Sequence, residues 1–322
     1  VSDTPENIMM IGPSRAGKTS LLSVLRLASA NCLHDNSRVE IDPVNDNAKQ
    51  LFRKARDIVR TGNIVHEPTY SLLEYVFNLK CDVEKVVVKE VVEEEPGPFP
   101  WSKPKQVKRT VEVKVTVKKD FTLTVLDGKG GSVFGPPDEG DPAEYARQRA
   151  EYVNLARKSV ALVICMNAND PSTTADFFTD LQQFLDDVRV GSTPCPFERV
   201  AIAVTQADRQ VEQFGSSALD RLEALDPAQS AAETMGRHAR DGLFKALRPQ
   251  ARQMVYAGWT SVYGFIELEG SVNFDATTGQ MVIFRDDTAK WVDNWYPYGV
   301  VEPFLFACSG RVVKMHPLRH KI

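Results

Sequence analysis

The residues best placed to do chemistry come early. Gly12-Pro13-Ser14-Arg15-Ala16-Gly17-Lys18-Thr19 follows the spacing G-x-x-x-x-G-K-[ST]. Each position in it has a physical task. Gly12 and Gly17 let the backbone turn tightly, so that amides from about Ser14 through Arg15, Ala16, Gly17, Lys18 and Thr19 to Ser20 point inward at a polyphosphate. The Lys18 ammonium is expected to bridge the β- and γ-phosphates, and the Thr19 hydroxyl to ligate Mg²⁺. A glycine-rich turn that binds nothing is the bland alternative. Against it stands the context: Ile8-Met9-Met10-Ile11 is a buried-strand pattern just before, and Leu21, Val24, Leu25 and Ala28 recur at helical spacing just after.

Later segments could complete such a site. The strand pattern Phe121–Leu126 ends in Asp127, followed by Gly128-Lys129-Gly130-Gly131. An acid there can hold Mg²⁺ through water, and the Gly130 amide can meet a γ-phosphate and leave it after cleavage. Alone, this is equally an ordinary Asp-Gly turn. The apolar run Arg199–Val204 leads into Thr205-Gln206-Ala207-Asp208. A carboxylate at Asp208 can accept from guanine N1–H and N2–H₂; adenine, lacking that donor pair, would leave a buried charge unpaired. Met254–Trp259 leads to Ser261-Val262-Tyr263, where a backbone amide can meet the guanine carbonyl.

The elements that must position these residues follow from periodicity. Ala161–Met166 is a fully apolar strand, and Phe177, Phe178, Leu181, Phe184, Leu185 and Val188 share one helix face, with Thr173 and Asp176 as a capping pair. Val300–Cys308 reads as a closing helix. The pattern predicts one three-layer α/β domain over residues 1–322: a mostly parallel sheet, helices on both faces, and an antiparallel edge formed by a long β-hairpin. A ligand belongs at the carboxyl ends of the strands.

On these residues the chain resembles the Ras-like, translation-factor-related (TRAFAC-type) class of P-loop GTPases, whose five motifs appear here in order. They are Gly12–Thr19, Thr69 in His66-Glu67-Pro68-Thr69-Tyr70, Asp127–Gly130, Thr205–Asp208 and Ser261–Tyr263. The resemblance covers most of the chain and is greatest to larger, insertion-bearing bacterial members. It implies GTP and GDP as ligands and Mg²⁺ held by Thr19, Thr69 and Asp127. It also implies slow hydrolysis supported by Lys18, Thr69 and Gly130, in a cytoplasmic switch for a protein partner. Thr61 rivals Thr69.

Three departures bear on that reading. Gln206 replaces the lysine whose stem packs on guanine, Gly131 replaces the glutamine that orients the attacking water, and Ser14 replaces a glycine. Arg15 and Lys129 are either solvated loop cations or charge supplied to the phosphates in cis. A binding module with negligible turnover is therefore one alternative, and an ATP-using P-loop enzyme another.

Relative to that class, insertions fall at about 32–66, 80–119 and 265–298. The first contains a helix with Ala48, Leu51, Phe52, Ala55 and Val59 on one face. The second is a hairpin of Val83–Val92 against Val111–Lys118, whose tip carries Phe99 and Trp101 in a proline-rich frame. That tip is either a flexible loop or a docking point for a partner, on a hairpin that joins the two switch segments. The third holds a hairpin over Ser271–Phe284, then Trp291, Trp295, Tyr296, Pro297 and Tyr298.

Composition narrows the partners. With 322 residues, 43% hydrophobic, and 39 basic against 43 acidic residues, the chain can bury a large core and is not a generally basic nucleic-acid-coating protein. One of its longest apolar runs, Val160–Met166, is strand-sized, so no transmembrane segment is expected. The N-terminus lacks a secretion pattern, and five scattered cysteines (Cys32, Cys81, Cys165, Cys195 and Cys308) fit a reducing cytosol. The basic residues Arg311, Lys314, Arg319 and Lys321 form either a solvated tail or a contact for an anionic surface or partner.

Overall fold

The computed structural model describes residues 6–13, 16–31, 39–61, 73–95, 105–127, 141–167, 174–189, 197–206, 254–259, 267–268, 271–272, 274–275, 280–281 and 299–310. Seven strands form the main sheet. They are β1 (Glu6–Ile11), β2 (Val39–Pro43), β3 (Leu73–Glu95), β4 (Lys105–Asp127), β5 (Ser159–Asn167), β6 (Arg199–Thr205) and β7 (Met254–Trp259), in the order β2-β3-β4-β1-β5-β6-β7. From β4 to β7 every neighbouring pair is parallel, whereas β3 runs antiparallel to both β4 and β2.

Helices cover both faces, which is why the central strands are apolar without alternation. Residues Ile8–Ile11 and Ala161–Met166 are buried throughout. One face lies under α1 (Lys18–Asn31), α2 (Asp46–Thr61) and α5 (Glu302–Ser309), joined in a single apolar cluster with Phe77, Leu79, Phe121, Leu123 and Val125. The helices α3 (Pro142–Arg157) and α4 (Thr174–Val188) supply the buried Tyr152, Val153 and Ala156, and Phe177, Leu181, Phe184, Leu185 and Val188. β3 is covered on one side only at its root: Tyr75, Phe77, Leu79 and Cys81 are buried, while Glu74, Asn78 and Lys80 face water.

Local chemistry fixes the ends. The Asn45 side chain accepts from the Ala48 amide at 3.0 Å and donates to the Glu74 carbonyl at 2.7 Å, capping α2 while tying it to β3. Asp141 accepts from the Ala143 amide at 2.9 Å, with Pro142 opening α3. α5 ends at Gly310, left-handed at φ 71°, whose amide reaches the Phe306 carbonyl at 2.7 Å. At the amino ends of the strands Arg199 donates to the Cys308 carbonyl at 2.6 Å and pairs with Glu6, which also holds Lys119.

The three-layer α/β architecture agrees with the pattern of the sequence; three details differ. Segment 32–66 holds the strand β2 as well as its helix, so the antiparallel edge is two strands deep. The helix α3 was not expected. Within 265–298, Phe274–Asp275 (β10) pairs with Gln280–Met281 (β11), whereas Ser271–Val272 (β9) pairs with Glu267–Leu268 (β8). Among the described residues no helix is long and apolar enough to cross a membrane.

Candidate functional site

The loop between β1 and α1 is built by close approach. A Cβ on Gly12 would lie 2.4 Å from the Cys165 carbonyl oxygen, so no other residue lets the chain pass over β5 there. Gly17 sits at φ 76°, a conformation other side chains resist. The Ala16 amide reaches back to the Pro13 carbonyl at 3.3 Å, and Leu21 makes the first intrahelical bond, to the Gly17 carbonyl at 2.8 Å. The preceding amides of Lys18, Thr19 and Ser20 therefore open the helix, where N–H groups have no intrahelical acceptor. α1 has no acid in its first turn to offset the positive end of the helix. Lys18 Nζ lies 2.9 Å from the carbonyls of both Gly12 and Pro13 and donates to them, which holds its ammonium over the loop.

The end of β6 meets this loop directly. The Thr205 hydroxyl lies 2.8 Å from the Ala16 carbonyl and 3.0 Å from the Met166 carbonyl, and the residue is only 2% exposed. It ties β5, β6 and the β1–α1 loop into one unit, so Thr205 positions the loop from behind. Gln206, the next residue, holds φ at 61°, left-handed for a residue with a full side chain. Such backbone strain, of order 1–2 kcal/mol, clusters at binding loops.

On the opposite flank, Asp127 ends β4. The phenolic hydroxyl of Tyr152 donates to the carbonyl of Leu126 at 2.6 Å inside the protein, anchoring that strand end to α3. Leu73, where β3 begins, faces Asp127 across the sheet. The described part of the site thus lies along one edge, the carboxyl ends of β4, β1, β5, β6 and β7.

Cys165, whose carbonyl the loop crosses, is inert. Burial pushes its thiol up to about 12, against the smaller opposing pull of the Lys18 ammonium, so it is neutral at physiological pH.

Several residues singled out in the sequence lie outside the described residues: Ser14, Arg15, Thr69, Lys129, Gly130, Gly131, Asp208, Ser261, Val262 and Tyr263. Their tethers are described. Asp208 follows Gln206 by two residues and Ser261 follows Trp259 by two, a reach of at most about 7 Å each. Gly130 follows Asp127 by three, and Thr69 precedes Leu73 by four, within about 14 Å of extended chain. Each tether springs from the edge that carries the loop.

The residues present fit an anionic ligand with a hard cation. Helix-start amides and an ammonium suit phosphate; a hydroxyl at Thr19 and a strand-end acid at Asp127 suit Mg²⁺, which keeps most of its ligands as water and phosphate oxygen. Among the described residues no group of three or more His, Cys, Asp or Glu gathers as a protein-only metal cage. Tyr152 and the inward role of Thr205 were not read from the sequence. The Asp141-Pro142 pair was a legible start signal for the helix that carries Tyr152.

No family model matches the chain, and no curated protein does. Many solved structures are similar in part, two of which serve as examples. One is a signal recognition particle receptor SRb-GTP/SRX complex from Chaetomium thermophilum, at 17% identity and TM-score 0.32, covering 80% of this chain and 91% of that one. The other is an ADP-ribosylation-factor-like GTP-binding protein, small COPII coat GTPase SAR1, from Encephalitozoon cuniculi in complex with GDP. It shows 11% identity and TM-score 0.30, covering 91% of this chain and 80% of that one. Likeness of that extent assigns this chain to no family.

Proposed function

We propose that the chain binds GTP and GDP with Mg²⁺ at this edge, hydrolyses GTP slowly to GDP and phosphate, and serves as a nucleotide-controlled cytoplasmic switch for a protein partner. One observation carries the reading: the Thr205 hydroxyl sits against the Ala16 carbonyl. Thr205, three residues before Asp208, therefore abuts the turn that leads into Lys18, which supports one ligand meeting both.

In this reading the helix-start amides and Lys18 bind and orient the β- and γ-phosphates, and Lys18 offsets charge that builds on them as the γ-phosphoryl group departs. Thr19, Thr69 and Asp127 would hold Mg²⁺, which would offset negative charge on the phosphates. The Thr69 carbonyl orients a water in line with the γ-phosphorus, and the Gly130 amide holds a terminal oxygen until cleavage frees both loops. The Asp208 carboxylate selects guanine, aided by Ser261–Tyr263, and Gln206 stacks where a lysine stem is common. With Gly131 in place of a water-orienting glutamine, the unassisted rate is no faster than about 10⁻³ s⁻¹. Gly131 also favours the second reading, a nucleotide-binding module that does not turn over.

Phosphate release from GTP by purified protein with Mg²⁺ separates the two. Slow steady release, lost in Lys18→Ala, is expected; tight binding with no release in the unmodified protein contradicts the enzyme and leaves the module.

A further inference from the structure

The β3–β4 hairpin continues past the sheet from Asp82↔Lys118 to Glu95↔Lys105, roughly 45 Å of two-stranded ribbon. Among the described residues, β2 pairs with β3 only as far as Cys81, and β1 pairs with β4 only from Phe121. A lone ribbon of this kind is marginal in water. Facing residues of an antiparallel pair share a side. Val87↔Val113, Lys89↔Val111 and Val91↔Arg109 therefore set Val87, Val91, Val111 and Val113 on one side, and Val107, Val115 and Val117 alternate onto it. Val91, Val111 and Val117 are each 38% exposed.

The two sides differ in charge. Lys89 and Arg109 share the valine side, on which the register also sets Glu93 and Glu95 toward the tip; Glu90 and Glu112 lie on the other, with Lys108, Lys114 and the exposed Val86, Val88 and Val92. The valine side also continues the face that carries Leu79, Phe121 and Cys81. There the Cys81 thiol hydrogen-bonds with that of Cys308 in α5, and Lys119 lies over the Phe121 ring. Among the described residues, α1, α2 and α5 pack against the rest of this face.

We infer that the valine side of the ribbon is a docking surface for an amphipathic helix of a protein partner, one whose apolar stripe is flanked by carboxylates. Such a helix extends the layer of α1, α2 and α5, buries the valines, and sets its acids against Lys89 and Arg109. The segment 311–322 suits it poorly, because its charged residues Arg311, Lys314, Arg319 and Lys321 are basic like the ribbon face. The inference deepens the proposed function by naming the face and the partner's chemistry, and rests on that function only for coupling to nucleotide state.

The test uses the full chain and three labelled peptides: an 18-residue helix with a leucine stripe flanked by glutamates, the same helix with lysines for glutamates, and a scrambled acidic control. Fluorescence anisotropy should show binding of the acidic helix alone, weakening with salt. Val111→Thr/Val113→Thr/Val115→Thr, which keeps β-branched side chains, should weaken it at least about tenfold. Lys89→Glu/Arg109→Glu should transfer preference to the basic helix. Both variants should keep the GDP affinity of the parent. Equal binding of all three peptides, no binding, or indifference to the valine substitutions overturns the inference. So does binding to phosphatidylserine vesicles in place of the acidic helix, or a dimer in ultracentrifugation that the valine substitutions dissolve. Acidic-helix binding with no guanine-nucleotide binding keeps the docking face and overturns the proposed function instead.

Discussion

Thr205 carries more of the site than its one hydroxyl suggests, since it touches carbonyls from two other segments in a place water does not reach. Thr205→Val keeps the shape and removes the donor. Leaving those buried acceptors short should cost about 1–3 kcal/mol in urea unfolding. If the hydroxyl also sets the loop, GDP affinity should fall with it; an unchanged affinity would make Thr205 purely structural. At this scale the sequence was legible wherever a residue type has one physical use. Gly12 and Gly17 stand where the backbone must pass a carbonyl or turn left-handed. Thr205 was not legible in the same way. Its position suggested a ligand contact, and only the packing of three segments reveals that its hydroxyl faces inward. Cys165 shows the same limit, because its inertness comes from a burial that no local pattern states.

Among the elements, α3 acts as a brace. Tyr152 holds the carbonyl of Leu126, one residue before Asp127, so its phenol fixes that strand end. Tyr152→Phe should cost about 1–2 kcal/mol of stability. It should also raise the Mg²⁺ concentration needed to retain nucleotide several-fold, read by titrating Mg²⁺ against release of a fluorescent GDP analogue. Loss of stability with an unaltered Mg²⁺ requirement would show that Asp127 is positioned otherwise. The central strands were readable because burial on both faces leaves an unbroken apolar run. α4 was readable because its buried face, Phe177 to Val188, is a clean stripe. α3 was missed because charged residues interrupt its narrow buried stripe of Tyr152, Val153 and Ala156. β2 was missed because Val39–Pro43 is short and polar, made a strand by pairing with Phe77–Cys81 rather than by its own pattern.

For the whole molecule, the parallel half of the sheet gathers five strand ends at one edge, while the antiparallel half sends β3 and β4 far beyond it. In the proposed reading the first half serves a small anionic ligand and the second offers an extended face to a macromolecule. Because β3 begins at Leu73 beside the end of β4 at Asp127, the hairpin joins the two segments proposed to sense the γ-phosphate. Charge and composition allowed this division without specifying it; the sheet order supplies it. The central claim is that one purine nucleotide spans the loop at Lys18 and the carboxylate at Asp208. Equilibrium binding of fluorescent GDP and ADP to the unmodified protein and to Asp208→Asn tests it most directly. The account predicts strong preference for GDP in the unmodified protein, and a loss of that preference by at least about tenfold in the variant. Equal affinity for the two nucleotides, or a preference that survives the substitution, would contradict it.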